Sequence, residues 1–346
     1  MKKLFSLAAA LLLGCTAALA EGLTATLQQG ETMTAYYGVN AFQQAYTAAG
    51  DGDVITLSAG QFNDVTTIEK SITVRGAMAF EVEGTERTFL STTTVNANNV
   101  TLEGIYFSSD VYLAAITDCH IKRCRIGRTL SRKSASDYHT NTVVDQCVIA
   151  YVNAIATGKN FCIKNSTIGY FSNTNAATNV AYITNCYIKY FYRSGYSSYY
   201  RPYAIYKNCV LGIDNDGYSS GYGFYLYSPS EFYNNVFYRT TTSNSTSCTK
   251  YSVSYSFDSG CLNSRNSYYI NGSSSYPSTY QPYAIPTNYL SGSLGKTGDD
   301  GTPAGITGGA GFSPYPAVPR IVSSEIASRT DSQGKLNVKI TVKTQE

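Results

Sequence analysis

A short pattern of hydrophobic and polar positions recurs along the middle of the chain. It reads apolar–x–polar–small–x–apolar, and its small residue falls at positions 124, 147, 166, 186, 209 and 235. The alternation within each copy has the two-residue period of a β-strand. Recurrence about every twenty residues is typical of solenoid proteins, in which short units stack because none can bury a face alone. The pattern therefore predicts a parallel β-helix.

The repeat also predicts where each of its positions points. Its six copies cover Ile121–Ile126, Val144–Ile149, Ile163–Ile168, Ile183–Ile188, Tyr206–Leu211 and Phe232–Phe237. We expect the first, fourth and sixth positions to face the interior, and the second and fifth to face solvent. The third position is predicted to be a corner, because its frequent Asn tolerates left-handed backbone geometry and can bond to the neighbouring coil.

Asparagine fills this corner in four copies, at Asn165, Asn185, Asn208 and Asn234. The resulting ladder resembles that of the pectate-lyase-like superfamily of exported right-handed parallel β-helix proteins, over roughly residues 40–312. The resemblance implies an all-β, right-handed solenoid and a polysaccharide partner. It does not choose an activity, because this fold carries lyases, hydrolases, adhesins and inert stalks.

Both ends of the repeat region carry their own signals. Residues 39–46 predict a helix capped by Asn40 and Gln43, which would cover the open end of the solenoid. The Gly-rich run 305–312 resembles the closing segment of exported β-helices. Three prolines follow, and residues 321–342 hold two alternating strand patterns around a turn. We therefore expect a capped β-helix over 21–312 and a Pro-rich link with a β-hairpin-like tail over 313–346.

Residues 1–20 have the features of a signal peptide. Two lysines precede an apolar run over 4–13, and Ala18-Leu19-Ala20 offers a cleavage site. The prediction is export to the extracellular space, the periplasm or the outer surface. A lipoprotein is the alternative, because Leu12-Leu13-Gly14-Cys15 resembles a lipobox in which Cys15 would carry the lipid anchor. No later segment reaches the ~20 apolar residues of a membrane span.

Eight cysteines follow the predicted leader. Cys124, Cys147, Cys186 and Cys209 occupy equivalent inward positions on coils stacked ~4.8 Å apart or more. Parallel side chains at that separation are poor disulfide partners, so we expect these thiols to be free. Cys248 and Cys261 lie outside the ladder in a Ser/Tyr-rich stretch, and they form the predicted disulfide.

The composition limits the partners. Loss of Lys2 and Lys3 with the leader lowers the formal net charge from +3 to +1, and only 14% of residues are charged. Such a chain lacks the basic footprint of a nucleic-acid-binding protein. Its 32 tyrosines suit stacking on sugar rings, although tyrosine also favours β-surfaces in general. The glycan-binding candidates are Tyr187, Tyr192, Tyr196, Tyr199, Tyr225 and Tyr227.

A basic cluster over residues 118–134 and the adjoining loop is the main candidate for catalysis. Lyases of polyuronates need cations beside the sugar carboxylate and a base that removes the neighbouring proton. The candidate set places Lys133 or His139 as base, Arg125 and Arg128 as carboxylate clamps, and Tyr138 as proton donor. The alternative is a solvated basic face with a flexible loop.

Other catalytic signatures are weak. Lyases of this fold often use calcium, which needs several oxygen ligands. The only candidates are Asp118 and Asp145, which do not form a dense acidic cluster. We therefore expect no cofactor or metal. Asp214 and Asp216 read as a turn rather than as a glycosidase pair. The sequence thus favours an exported β-helix that contacts polysaccharide by binding. The alternatives are a lyase acting on a uronate-containing glycan and a structural or adhesive stalk.

Overall fold

The computed structural model describes residues 22–80, 86–134, 136–153, 159–172, 180–191, 204–212, 231–238, 263–264, 267–269, 297–315, 320–330 and 336–343. The predicted leader, Cys15, Cys248 and Cys261 lie outside these residues. The chain divides into two compact units, Met1–Pro314 and Tyr315–Glu346.

The described residues contain one helix and twenty-seven mostly short strands. In chain order these elements are β1 (Thr24–Gln29), β2 (Thr32–Tyr37), α1 (Ala41–Ala48), β3 (Val54–Leu57), β4 (Gly60–Gln61), β5 (Thr67–Ile68), β6 (Thr73–Arg75), β7 (Thr88–Leu90), β8 (Thr93–Val95), β9 (Thr101–Glu103), β10 (Tyr106–Phe107), β11 (Val111–Leu113), β12 (His120–Lys122), β13 (Arg125–Arg132), β14 (Val143–Asp145), β15 (Val148–Asn153), β16 (Phe161–Lys164), β17 (Thr167–Ser172), β18 (Ala181–Thr184), β19 (Tyr187–Phe191), β20 (Ala204–Lys207), β21 (Val210–Gly212), β22 (Glu231–Tyr233), β23 (Val236–Tyr238), β24 (Asn263–Ser264), β25 (Ser267–Tyr269), β26 (Arg320–Thr330) and β27 (Leu336–Lys343).

The strands stack as the walls of a parallel β-helix, which confirms the predicted fold class. Ten parallel strands form the first wall, in the order β3–β6–β9–β12–β14–β16–β18–β20–β22–β24. The second wall has the order β4–β7–β10–β13–β15–β17–β19–β21–β23–β25. A third wall begins with β5, β8 and β11 and continues through the second halves of β13, β15, β17 and β19.

One end of the helix is covered by α1 and by β1, which pairs antiparallel with both β2 and β3. Phe42 on α1 is fully buried in the core, as a capping helix requires. The predicted capping pair is wrong. Asn40 makes no side-chain cap bond, because its oxygen accepts a hydrogen bond from Asn63, and Gln43 donates to the carbonyl of Asp64. No helix among the described residues is long and apolar enough to cross a membrane.

The first and fourth positions of all six copies, and the sixth positions from Ile126 to Leu211, fill the interior, as predicted. The small residue at the fourth position also makes a polar contact. Each ladder thiol donates to a backbone carbonyl, for example Cys209 Sγ to Lys207 O at 3.2 Å, and Ser166 donates to Lys164 O at 2.7 Å. The ladder cysteines are free and buried, which confirms the prediction.

The third position is the predicted left-handed corner. In all six copies its φ lies between 45° and 55°, including the non-Asn residues Arg123 and Gln146. A second corner ladder, which the repeat did not predict, precedes the first-wall strands. It consists of Asn99, Asp118, Asn141 and Asn160, with φ between 53° and 56°. Two left-handed corners therefore bracket each first-wall strand in this part of the helix.

Residues 297–313, here called the strap, run back along the Asn corner on the side of the β-helix. Asn234 Nδ2 donates to Thr297 O at 3.1 Å, and Asn165 Nδ2 donates to Ile306 O at 3.2 Å. Near the end of the strap, the amide of Ser313 donates to Gln146 Oε1 at 3.1 Å. The side-chain amides of the corner thus bind the backbone of a segment built mainly of turns and bends.

The strap explains an error in the predicted orientations. Fifth-position residues lie outside the main core, but they are buried rather than solvated: Arg125, Val148, Thr167, Tyr187, Val210 and Val236. Ala304 and Ile306 of the strap cover the later coils, while Ala79 and Phe80, from the excursion between β6 and β7, cover the earlier ones. The two covers meet where Phe80 contacts Phe312, with ring centroids 5.4 Å apart.

The second compact unit contains an antiparallel ribbon of β26 and β27. It matches the strand-rich tail expected from the alternating pattern of residues 321–342.

Candidate functional site

The structure divides the five predicted lyase residues between the interior and the surface. Arg125 was expected to project into solvent, but only 2% of it is exposed, and its guanidinium lies 4.3 Å from the ring centroid of Tyr106. His139 is fully buried, with its ring 5.4 Å from that of Phe161. Neither side chain is placed to meet a polymer at the surface, so the expected clamp role of Arg125 and base role of His139 lose their geometric basis.

The other three members of the set are exposed. Arg128 lies at the bulge of β13 and forms an ion pair with Asp110 at 3.4 Å. Lys133 follows the end of β13, where its amide donates to Leu113 O at 2.7 Å. The side chain of Tyr138 is 63% exposed in the next turn. Arg128 therefore lies before the third-wall half of β13, whereas Lys133 and Tyr138 lie after it.

The predicted tyrosine set has a similar outcome. Tyr187 is 2% exposed and packs with Ile306 beneath the strap, so it offers no ring face to a ligand. The remaining candidates, Tyr192, Tyr196, Tyr199, Tyr225 and Tyr227, lie outside the described residues.

An aromatic surface lies instead on the outside of the third wall. Leu130, Val152 and Phe171 are aligned on adjacent strands and point into the core. The residues that precede them point outward because side chains alternate along a strand. These residues are Thr129, Tyr151 and Tyr170, all partly exposed, and the two tyrosine rings have centroids 6.2 Å apart.

A second outward row runs beside the first. Tyr112 is aligned with Ser131, and Ser131 is aligned with Asn153 on the next strand. We call the partly exposed members of the two rows the tyrosine face: Tyr112, Thr129, Tyr151, Asn153 and Tyr170, with Ser131 buried between them. It presents flat rings beside hydroxyl and amide groups, and it carries no charged side chain of its own.

A charged rim borders the tyrosine face on one side. Asp110 accepts a hydrogen bond from the amide of Thr129 at 3.0 Å and pairs with Arg128. Burial, and then the negative charge of Asp110 and a hydrogen bond to it, raise the pKa of Tyr112 above its ordinary value. The phenol of Tyr112 is therefore held in its neutral, protonated form, which suits hydrogen bonding to a hydroxyl and not proton abstraction.

The outside of the first wall has a different character. Aligned residues on successive strands alternate in sign: Arg75, Glu103, Lys122, Asp145 and Lys164. Glu103 forms ion pairs with Arg75 at 3.5 Å and Arg123 at 3.0 Å, and Asp145 pairs with Lys164 at 3.3 Å. Four of the five charges in this row, those of Arg75, Glu103, Asp145 and Lys164, are therefore paired with a neighbouring charge.

Metal-binding residues do not gather in the part of the chain that the structure describes. No group of three His, Cys, Asp or Glu side chains there is placed to hold an ion. Asp118, one of the two residues considered for calcium, instead accepts a hydrogen bond from Asn141 Nδ2 at 3.0 Å in the exposed corner ladder. Asp145, the other, belongs to the charge ladder of the first wall.

A sequence pattern just outside the six-residue repeat indicates the tyrosines of this face. Two residues after the last position of the copy, the chain reads Ile149-Ala150-Tyr151, Ile168-Gly169-Tyr170 and Ile188-Lys189-Tyr190. An apolar–x–Tyr step that recurs at the period of the coils predicts a row of stacked tyrosines. The burial of Tyr187 had no such local signal, because the strap that covers it is more than a hundred residues away in sequence.

Comparisons with known proteins add no family to this description. A scan against protein-family models finds no match, and searches of curated proteins and of solved structures find none either. Proposals about function therefore rest on the fold and on the chemistry of the walls.

Proposed function

We propose that this chain is an exported, cell-envelope or secreted β-helical protein that binds a polysaccharide on the tyrosine face without cleaving it. The observation that carries the proposal is the outward pair Tyr151 and Tyr170, whose rings lie 6.2 Å apart on adjacent coils. Aromatic rings offer a large contact area with a polar tip, which suits sugars that are apolar on one face and hydroxylated at their edges. Export rests on the leader sequence, with a lipid anchor at Cys15 as the alternative to a free form.

The neutral chemistry of the face favours a neutral glycan. Thr129 and Asn153 supply a hydroxyl and an amide group beside the rings, and these groups both donate and accept hydrogen bonds. The nearest acidic group, Asp110, is paired with Arg128. A polymer rich in hydroxyl groups would meet no uncompensated charge on this surface.

Binding is favoured over lyase chemistry because the catalytic set is separated. Arg125 and His139 lie inside, while Arg128, Lys133 and Tyr138 lie at the surface. A lyase needs its cation and its base together on the sugar, within hydrogen-bonding reach. The three surface residues keep the uronate-lyase alternative testable. A structural or adhesive stalk is the third candidate, because a solenoid needs no ligand to be stable.

A screen of immobilised polysaccharides, neutral and uronate-containing, separates the three functions. The proposal expects retention on at least one neutral glycan and no ultraviolet absorbance from an unsaturated uronate product. Formation of that product would establish the lyase, and absence of retention on every glycan would leave the stalk. The test variant is Tyr151→Ser/Tyr170→Ser, and Tyr182→Ser is its matched control. Tyr182 is an exposed tyrosine on the first wall, so the control should keep the retention of the parent protein.

A further inference from the structure

The outermost strand of the cap is an open sheet edge without charge. β2 is the terminal strand of the twelve-stranded sheet that contains the first wall, and among the described strands only β1 pairs with it. Its six residues read Thr-Met-Thr-Ala-Tyr-Tyr. Natural sheet edges are usually protected by lysine, proline, a bulge or a cover, because a free edge is a template for pairing with another chain. The sequence of β2 contains no lysine and no proline.

The free backbone groups of this edge can be assigned. Gly38 N donates to Leu23 O at 2.8 Å, and continuation of the β1–β2 register places these two residues opposite each other. Bonds in an antiparallel pair involve every second residue. Tyr36, Thr34 and Thr32 therefore bond to β1, and the N–H and C=O groups of three residues point away from the sheet: Met33, Ala35 and Tyr37.

Apolar side chains accompany these free backbone groups. Four large hydrophobic residues are exposed in the described part of the chain, and two of them, Tyr37 at 58% and Val39 at 54%, lie at this edge. Four of the six residues in β2 are exposed. An exposed apolar edge with unpaired backbone groups fits an incoming β-strand better than it fits solvent.

We propose that β2 pairs antiparallel with β2 of a second copy of this chain, about a two-fold axis through Ala35, and so joins two β-helices through their caps. In this register Ala35 lies opposite Ala35 of the other copy, and Met33 lies opposite Tyr37. Each of these pairs exchanges both of its backbone hydrogen bonds, since all the groups involved point outward. The pairing is self-complementary, as a two-fold interface requires.

Charge also favours a second copy as the occupant. Like charges directly opposite each other on paired strands are destabilising. Here the nearest charged residue is Glu31, and the proposed register places it opposite Val39 of the other copy. No ionised group faces another across the interface.

The interface is small, so the test traps it covalently. Ala35→Cys would place two Cα atoms about 5.5 Å apart across a hydrogen-bonded pair, within the ~4.4–6.8 Å range of disulfides. Thr32→Cys is the matched control, because Thr32 is an exposed residue of the same strand. It would lie opposite Gly38, so the two introduced thiols would be about 20 Å apart along the strands.

Both variants and the parent protein are purified, oxidised at the same concentration and separated on non-reducing gels. The proposal expects disulfide-linked dimer for Ala35→Cys at least tenfold above that for Thr32→Cys and for the parent protein. Adding Met33→Pro to Ala35→Cys should abolish the excess, because proline removes an outward N–H that the monomer does not use. Circular dichroism and gel filtration under reducing conditions check that each variant is folded. Equal cross-linking of the two cysteine variants, or an excess that survives Met33→Pro, would overturn the proposal.

Discussion

Replacement of Asn165 separates the two roles that the corner asparagines play. Asn165 holds a left-handed corner with φ 45°, and its side-chain amide donates to the strap carbonyls of Ile306 and Gly308. Asn165→Gly keeps the corner geometry but removes both bonds to the strap. Asn165→Ala removes the same bonds and leaves a side chain that, unlike Asn, cannot offset left-handed geometry by local hydrogen bonding. Comparison of the two variants therefore measures the strap contacts and the corner strain separately.

The structure sets the expected magnitudes. Asn165 is 3% exposed, and loss of two buried hydrogen bonds at about 1 kcal/mol each makes Asn165→Gly cost ~2 kcal/mol. The left-handed backbone adds ~1–2 kcal/mol for alanine, so Asn165→Ala should cost ~3–4 kcal/mol. Asn141 is the matched control, because it holds an equivalent corner with φ 53° but is exposed and makes no bond to the strap. Asn141→Ala should exceed Asn141→Gly by the same ~1–2 kcal/mol.

Hydrogen exchange read by mass spectrometry reports the effect locally. The amide of Gly305 donates to Asn208 O at 2.8 Å, so it exchanges only when the strap opens. A loss of ~2 kcal/mol corresponds to about 30-fold faster exchange in residues 297–313 of Asn165→Gly. The same residues should be unchanged in Asn141→Gly. If exchange in the strap is equal in the two glycine variants, the corner amides do not hold the strap, and the reasoning fails.

Two further predictions concern titrating groups. Burial raises the pKa of Cys119 and of Cys124 to about 12, so neither thiol should react with a maleimide in the native protein. Among the six cysteines that the structure describes, partly exposed Cys162 should react first. Mass spectrometry of labelled native and unfolded protein checks this order. A hydrogen bond from Lys207, and then others, lower the pKa of Asp299 in the strap. Its stabilising contribution is therefore complete above the pKa of the unfolded chain and is lost as the pH falls through the folded-state pKa. Cleavage of the strap by an acid-active protease should rise in that window, and Asp299→Asn should remove this dependence; an identical profile for the two proteins would contradict the assignment.

The interior of the β-helix could be predicted because its rules are local. Ile121, Cys124 and Ile126 face the core since they follow the two-residue alternation of a strand on each side of a corner. The corner itself follows from the tolerance of Asn for left-handed geometry. Arg123 takes the same geometry between Gly104 and Gln146, the left-handed corners of the coils on either side.

The outer surface could not be predicted in the same way, because covering segments come from distant parts of the chain. The repeat pattern predicts that Tyr187 is exposed. In the structure the strap, which follows more than a hundred residues later in the chain, packs over it. His139 and Arg125 belong to a basic stretch by sequence, yet both are buried, His139 against Phe161 and Arg125 against Tyr106 of neighbouring coils. The density of basic residues along the sequence therefore indicated a catalytic site, but the fold places some of its residues inside and others at the surface.

The central claim is that the tyrosine face binds a glycan, and the affinity of a double variant tests it most directly. Titration of the retained polysaccharide compares the parent protein with Tyr151→Ser/Tyr170→Ser and with the control Tyr182→Ser. If each ring contributes ~1 kcal/mol, the double variant should bind about 30-fold more weakly. The control should bind like the parent protein, because Tyr182 lies on another wall. Equal affinity of the double variant and the parent protein would contradict the account.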